Sequence, residues 1–91
     1  MVHAFVLLKA RPAEVAALAS ALTEVAGVAE VYSVAGDVDL VAIVRVRHHD
    51  DLATVVTGGI AKLPGIVETR TMIAYQAFSQ KDLDALWDLG D

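Results

Sequence analysis

The sequence predicts an α+β domain of ferredoxin-like type. Its expected form is one antiparallel sheet in β-α-β-β-α-β order, two helices on one face and a short C-terminal helix. Three observations predict it. Apolar, β-branched runs alternate with stretches of helical spacing in that order. A β-α half is echoed: Val25-Ala26-Gly27-Val28-Ala29-Glu30 returns as Leu63-Pro64-Gly65-Ile66-Val67-Glu68. Leu18 and Leu22 map onto Val56 and Ile60 at the same offset. Two strands are apolar on both parities, as strands buried on both faces are.

The first strand spans 2–8, and Arg11-Pro12 ends it. Pro12 suits a first helical turn, where its missing N–H costs nothing. Val15, Leu18, Leu22 and Val25 form the apolar stripe of the first helix, which Gly27 stops. Strands follow over 28–35 and 38–47, joined by Gly36-Asp37 as a two-residue tight hairpin. Asp50 and Asp51 open the second helix, where carboxylates favour the positive end. Its stripe is Leu52, Val55, Val56, Ile60 and Leu63. Gly58-Gly59 inside it weakens it by about 1 kcal/mol per glycine. Pro64-Gly65 ends the helix, and 66–78 reads as the fourth strand. Ser79 to Asp82 begins a short last helix with Leu83, Leu86 and Trp87 on its apolar edge. Right-handed crossovers put both main helices on one face of the sheet.

The other sheet face then needs a cover. Val38, Leu40, Ala42, Val44 and Val46 make one parity of the third strand, and Val41 and Ile43 add apolar bulk to the other. Val6 and Leu8 oppose Phe5 and Leu7 in the first strand in the same way. The short last helix is too small to cover four strands. A second copy packed sheet on sheet is the expected cover, with Trp87 as an expected interface anchor.

Composition narrows the function. A chain of 91 residues is expected to be one domain, and 56% hydrophobic residues exclude a disordered chain. With no cysteine, disulfides, Cys-type zinc sites, Fe–S clusters and thiol catalysis are excluded. A net charge of -5 is a poor match for nucleic acid. No apolar run reaches the roughly 18 residues of a membrane helix, and no leader pattern is seen, so a cytoplasmic protein without membrane contact is expected. Adjacent His48 and His49 on an extended segment point opposite ways, and with His3 they offer no metal-ligand spacing. Ser20, Ser33 and Ser79 lack a base and orienting acid, and no phosphate loop is present. No catalytic residue, metal or cofactor is therefore expected. Glu24, Glu30 and Glu68 read as solvated charges, and Arg45, Arg47 and Arg70 can pair with them or with a ligand carboxylate.

With this order, the runs Ser33-Val34-Ala35-Gly36-Asp37-Val38-Asp39-Leu40 and Leu63-Pro64-Gly65-Ile66-Val67-Glu68-Thr69-Arg70-Thr71 resemble the effector-binding domain of the Lrp/AsnC family, the RAM domain. The family pattern is a strand, a Gly-Asp-x-Asp hairpin, a strand, a helix, Leu-Pro-Gly-Val and a Thr-x-Thr strand. Family regulators carry a preceding helix-turn-helix, which this chain lacks, so the resemblance is to the stand-alone form. Val38 stands where an aromatic is usual, and Gly58-Gly59 interrupts a helix that is normally more regular. The resemblance implies a homodimer whose sheets face each other as an α/β barrel. It implies assembly to rings, commonly octamers, and small effectors, usually amino acids, bound in clefts between dimers. A full-length Lrp/AsnC regulator is a possible partner by co-assembly.

The resemblance places the ligand near Gly36, Asp37, Val38, Asp39, Thr69 and Thr71. An amino acid presents an ammonium and a carboxylate, and both need partners when buried. Asp37 and Asp39 can accept from the ammonium. Gly36 permits close backbone approach, and hairpin N–H groups can meet the carboxylate. Thr69 and Thr71 share a strand face and offer hydroxyls. Each also has a plain structural role, since Gly-Asp suits a turn and Thr suits a strand. The competing readings are a dimeric α/β-barrel enzyme of the small monooxygenase type, which needs a polar pocket, and an ACT-type amino-acid-binding domain, whose partners lie side by side.

Overall fold

The computed structural model describes residues 1–80. The expected last helix, with Leu83, Leu86 and Trp87, lies outside the described residues. Six main elements follow the expected order: β1 (Val2–Ala10), α1 (Val15–Thr23), β2 (Val28–Ser33), β3 (Leu40–Val46), α2 (Asp51–Val56) and β4 (Ile66–Ile73). One 3-10 turn, Pro12–Glu14, leads into α1, with Pro12 in its first turn. Another, Ile60–Lys62, follows α2. The strands form one sheet in the order β2-β3-β1-β4, and all three neighbouring pairs are antiparallel. This is the ferredoxin-like arrangement, with β1 and β3 at the centre. Among the described residues no helix is long and apolar enough to cross a membrane.

The core follows from strand alternation. Ala4, Val6, Leu8 and Ala10 of β1 and Leu40, Ala42, Val44 and Val46 of β3 are buried on one face. Leu18 and Leu22 of α1, Leu52 and Val55 of α2, and Ile60 pack on them. A fully buried Leu or Val side chain contributes about 1.5–3 kcal/mol, so this layer dominates the folding free energy.

The echoed segments have matching backbones. Gly27 and Gly65 both take the left-handed region, at φ 97° and 93°. Two residues later each strand carries one extra residue. Val28 faces Val44 and Glu30 faces Ile43, so Ala29 bulges. Lys9 faces Glu68 and Ala10 faces Ile66, so Val67 bulges. Each glycine also accepts a bond at its carbonyl, from Arg45 N–H (2.9 Å) and Arg11 N–H (3.0 Å) respectively.

Four boundaries differ from expectation, and the first is that β1 runs on to Ala10 instead of ending at 8. The β2–β3 connection is not the two-residue Gly36-Asp37 hairpin but a loop from Val34 to Asp39. Its ends are closed by Val34 N–H donating to the Asp39 carbonyl at 3.0 Å. The second helix stops at Val56 instead of running to Leu63, because two glycines in succession remove the helical preference. The fourth strand ends at Ile73 instead of 78. Its partner β1 begins at Val2, and the last bond between them runs from Ala74 N–H to the His3 carbonyl at 2.9 Å.

The two echoed glycines yield a test. A Cβ on Gly27 meets Val55 Cγ2 at 2.5 Å, whereas one on Gly65 meets Glu14 Cβ at 3.0 Å. Left-handed strain costs an alanine about 1–2 kcal/mol at either site. Gly27→Ala adds a core clash and is expected to lose roughly 2–4 kcal/mol of unfolding free energy. Gly65→Ala is expected to lose less, and urea denaturation of the two variants checks the order.

Candidate functional site

Asp39 is the most firmly held of the expected site residues. Its N–H donates to the Leu8 carbonyl at 2.9 Å. Its carboxylate Oδ2 accepts from Ala10 N–H at 2.9 Å, across the bulge where β1 and β4 change register. The aspartate thus ties the β2–β3 loop to the end of β1. Val38 plugs the adjoining end of the core and is buried. Gly36 (φ 146°) and Asp37 stand exposed at the loop tip, with open space where a Gly36 Cβ would be.

Thr69 and Thr71 lie opposite Leu8 and Val6 on β4, on the helix side of the sheet, and both are exposed. β1 stands between them and β3. At about 4.8 Å per strand, Asp39 and Thr69 are roughly 10 Å apart. Within one chain the loop residues and the two threonines are therefore not brought together. Thr71 instead borders a groove of about 490 Å³ between α2 and β4, with His49, Leu52, Ala53, Val56 and Ile73. A second hollow, of about 530 Å³, adjoins it at His49 and Ile73 and reaches Met1, Val2 and Tyr75. This end of the sheet is opposite the loop. Sequence reasoning weighed His49 only as a metal ligand and passed over Ile73. The readable signal was parity: 69, 71 and 73 share one face of β4, toward the apolar stripe of α2.

The second sheet face has no helix on it. Phe5 and Leu7 of β1 and Val41 and Ile43 of β3 lie there half-buried. Tyr32 and Met72 flank them at 49% and 54% exposure. Charges rim this apolar field. The Glu30 carboxylate accepts from Arg45 Nη1 at 2.8 Å and from the Tyr32 hydroxyl. Lys9 pairs with Glu68 at 3.7 Å. The Tyr32 hydrogen bond, and then that of Arg45, lowers the Glu30 carboxyl below its ordinary value. The bond to Glu30 raises the Tyr32 phenol above 10.0. Among the described residues no three His, Cys, Asp or Glu side chains are grouped to hold a metal ion.

Two outcomes are expected. Asp39→Ala strands the Ala10 N–H and costs about 1–3 kcal/mol, whereas Asp37→Ala at the exposed tip stays within about 0.5 kcal/mol; chemical denaturation separates them. Glu30→Gln removes the carboxylate that holds the Tyr32 proton. Ultraviolet titration then finds tyrosinate forming at lower pH than in the parent, with the change confined to one of the two tyrosines.

Comparison with known proteins places this geometry. Residues 3–83 match the family model described as the Lrp/AsnC ligand binding domain. The HTH-type transcriptional regulator FL11 of Pyrococcus abyssi (strain GE5 / Orsay) is 31% identical over 77 residues, 85% of this chain. The chain spans about half (50%) of the length of that curated relative. The crystal structure of TTHA0845 from Thermus thermophilus superposes with a TM-score of 0.83 at 46% identity, covering 88% of this chain and 100% of that one. The fold alone is shared with the transcriptional regulator NMB0573 of Neisseria meningitidis, solved as an L-Met complex (TM-score 0.75, 12% identity, 87% and 53% coverage). With a matching family model over nearly its whole length, the chain belongs to the Lrp/AsnC ligand-binding domain family.

Proposed function

We propose that this chain is a single ligand-binding domain that works as a homodimer, assembling further to a ring, and that it binds a small effector of the amino-acid class. The observation that carries the reading is the uncovered sheet face: Phe5, Leu7, Val41 and Ile43, with Tyr32 and Met72 around them. A field of this kind is unfavourable in water and stable against its own copy. Two such sheets pressed together make the α/β barrel expected from the family.

Assembly supplies what one chain lacks. Gly36, Asp37 and Asp39 of one copy meet Thr69 and Thr71 of another only where dimers adjoin, with Val38 setting the depth of the loop. The ammonium of the ligand pairs with the Asp37 carboxylate and the Asp39 oxygen not taken by Ala10. Loop N–H groups near Gly36 take the ligand carboxylate. The L-Met complex of NMB0573, which has the same fold, supports the amino-acid class. The likeness to an HTH-type regulator supports a role in modulating a regulator that carries the same domain, by co-assembly. The domain's work is binding, with no catalytic residue, metal or cofactor.

Sedimentation equilibrium is expected to give a multiple of the 9.6 kDa chain mass. Leu7→Asp, which puts a charge in the middle of the apolar field, is expected to return it to the single-chain mass. A stable monomer at micromolar concentration overturns the reading. In a thermal-shift screen of the common amino acids, a ligand at 100 times its dissociation constant adds about 2.7 kcal/mol. Gly36→Val and Asp37→Asn are expected to abolish that gain while the variants remain folded. Calorimetric binding unchanged in both excludes this site.

A further inference from the structure

The uncovered sheet face is laid out in two rows that cross all four strands. Strand pairing aligns Tyr32, Val41, Leu7 and Arg70 in one row and Glu30, Ile43, Phe5 and Met72 in the next. Each row is apolar at its centre, and the two edges differ in charge. The β2 edge carries the Glu30 carboxylate and the Tyr32 ring, joined by the hydroxyl bond. The β4 edge carries Arg70, exposed and opposite Leu7.

Arg70 stands apart from the other charges of this face. Glu30 pairs with Arg45, and Lys9 pairs with Glu68. Among the described residues Arg70 has no carboxylate within ion-pair distance. In water a guanidinium needs none. Once a second sheet covers the apolar centre, Arg70 at its margin loses part of its hydration, and an anionic partner offsets that loss. Its own chain does not supply Glu30, which stands three strand spacings away, at least about 14 Å.

A second copy supplies it in one of the two ways that aligned sheets face each other about a two-fold axis. An axis across the strands lays β4 on β4 and β2 on β2. Arg70 then faces Met72, the two guanidiniums crowd at one edge, and the two Glu30 carboxylates crowd at the other. An axis along the strands lays β4 of each copy on β2 of the other. Arg70 then faces Tyr32, with Glu30 in the neighbouring row, while Leu7 faces Val41 and Phe5 faces Ile43. A carboxylate has about four acceptor positions, and Arg45 and Tyr32 occupy two of those on Glu30. The Tyr32 ring adds a flat, electron-rich face on which a guanidinium stacks.

We infer that Arg70 of each copy seats on the Tyr32 ring and against the Glu30 carboxylate of the other copy. The inference rests on the homodimer proposed above and fixes which way round it forms. Apolar area holds the two sheets together, and the charged corners exclude the arrangement with like edges in contact.

A double-mutant cycle on self-association tests it. Sedimentation over a dilution series compares the parent, Arg70→Glu, Glu30→Gln and the double variant, with circular dichroism to check that each is folded. The salt is about 0.15 M, at which charges on opposite edges of one chain are screened from each other. Arg70→Glu puts two like-charged contacts into every dimer and is expected to weaken association roughly 100-fold. In the Glu30→Gln background the same change is expected to cost at least about tenfold less. Sites this far apart in one chain act additively, so that coupling reports contact between copies. Parent-like association of Arg70→Glu overturns the pairing, as does an equal loss in both backgrounds, and either result leaves the apolar dimer standing. A single-chain mass for the parent at every concentration overturns both.

Discussion

A four-stranded sheet with two helices on one side leaves its other side to water, and here that side is apolar at its centre. Phe5, Leu7, Val41 and Ile43 have no polar alternation to hold them in solvent. The covered face closes the core with Leu18, Leu22, Leu52, Val55 and Ile60. The charges lie at the rim, as Glu30 with Arg45 and Lys9 with Glu68. Exposed pairs of this kind contribute little to folding, about 0–1 kcal/mol each. In the proposed homodimer their place at the rim serves to orient the second copy.

The two-fold echo in the sequence explains why the helices sit where they do. Each half turns from helix into strand through a left-handed glycine, and the carbonyl of that glycine is taken by a neighbouring strand. Gly27 lies against Val55 of the other half, and Gly65 lies against Glu14 of the first. Each crossover thus packs against the opposite half, on the one sheet face that both helices cover.

Much of this was readable from residue spacing. The order of elements, the buried parity of β1 and β3 and the second apolar face all follow from local alternation, which a linear sequence displays directly. What escaped was decided by contacts between distant residues. Asp39 reads as the start of a strand and as an acceptor for a ligand, yet its carboxylate accepts from the Ala10 N–H, 29 residues away. The end of β4 is set by where β1 begins, not by its own apolar run over 74–78. The loop and the threonine pair are separated in the motif by a strand and a helix, and in the sheet β1 stands between them.

The bulges at Ala29 and Val67 have a consequence beyond register. They fall near the starts of β2 and β4, the two outermost strands of the sheet. An outer strand with free N–H and C=O groups is a template onto which further chains can stack without limit. An unmatched residue twists that rim and breaks its regular hydrogen-bond spacing. A polypeptide with more than half its residues hydrophobic thus carries, in duplicate, a brake on growth into fibres.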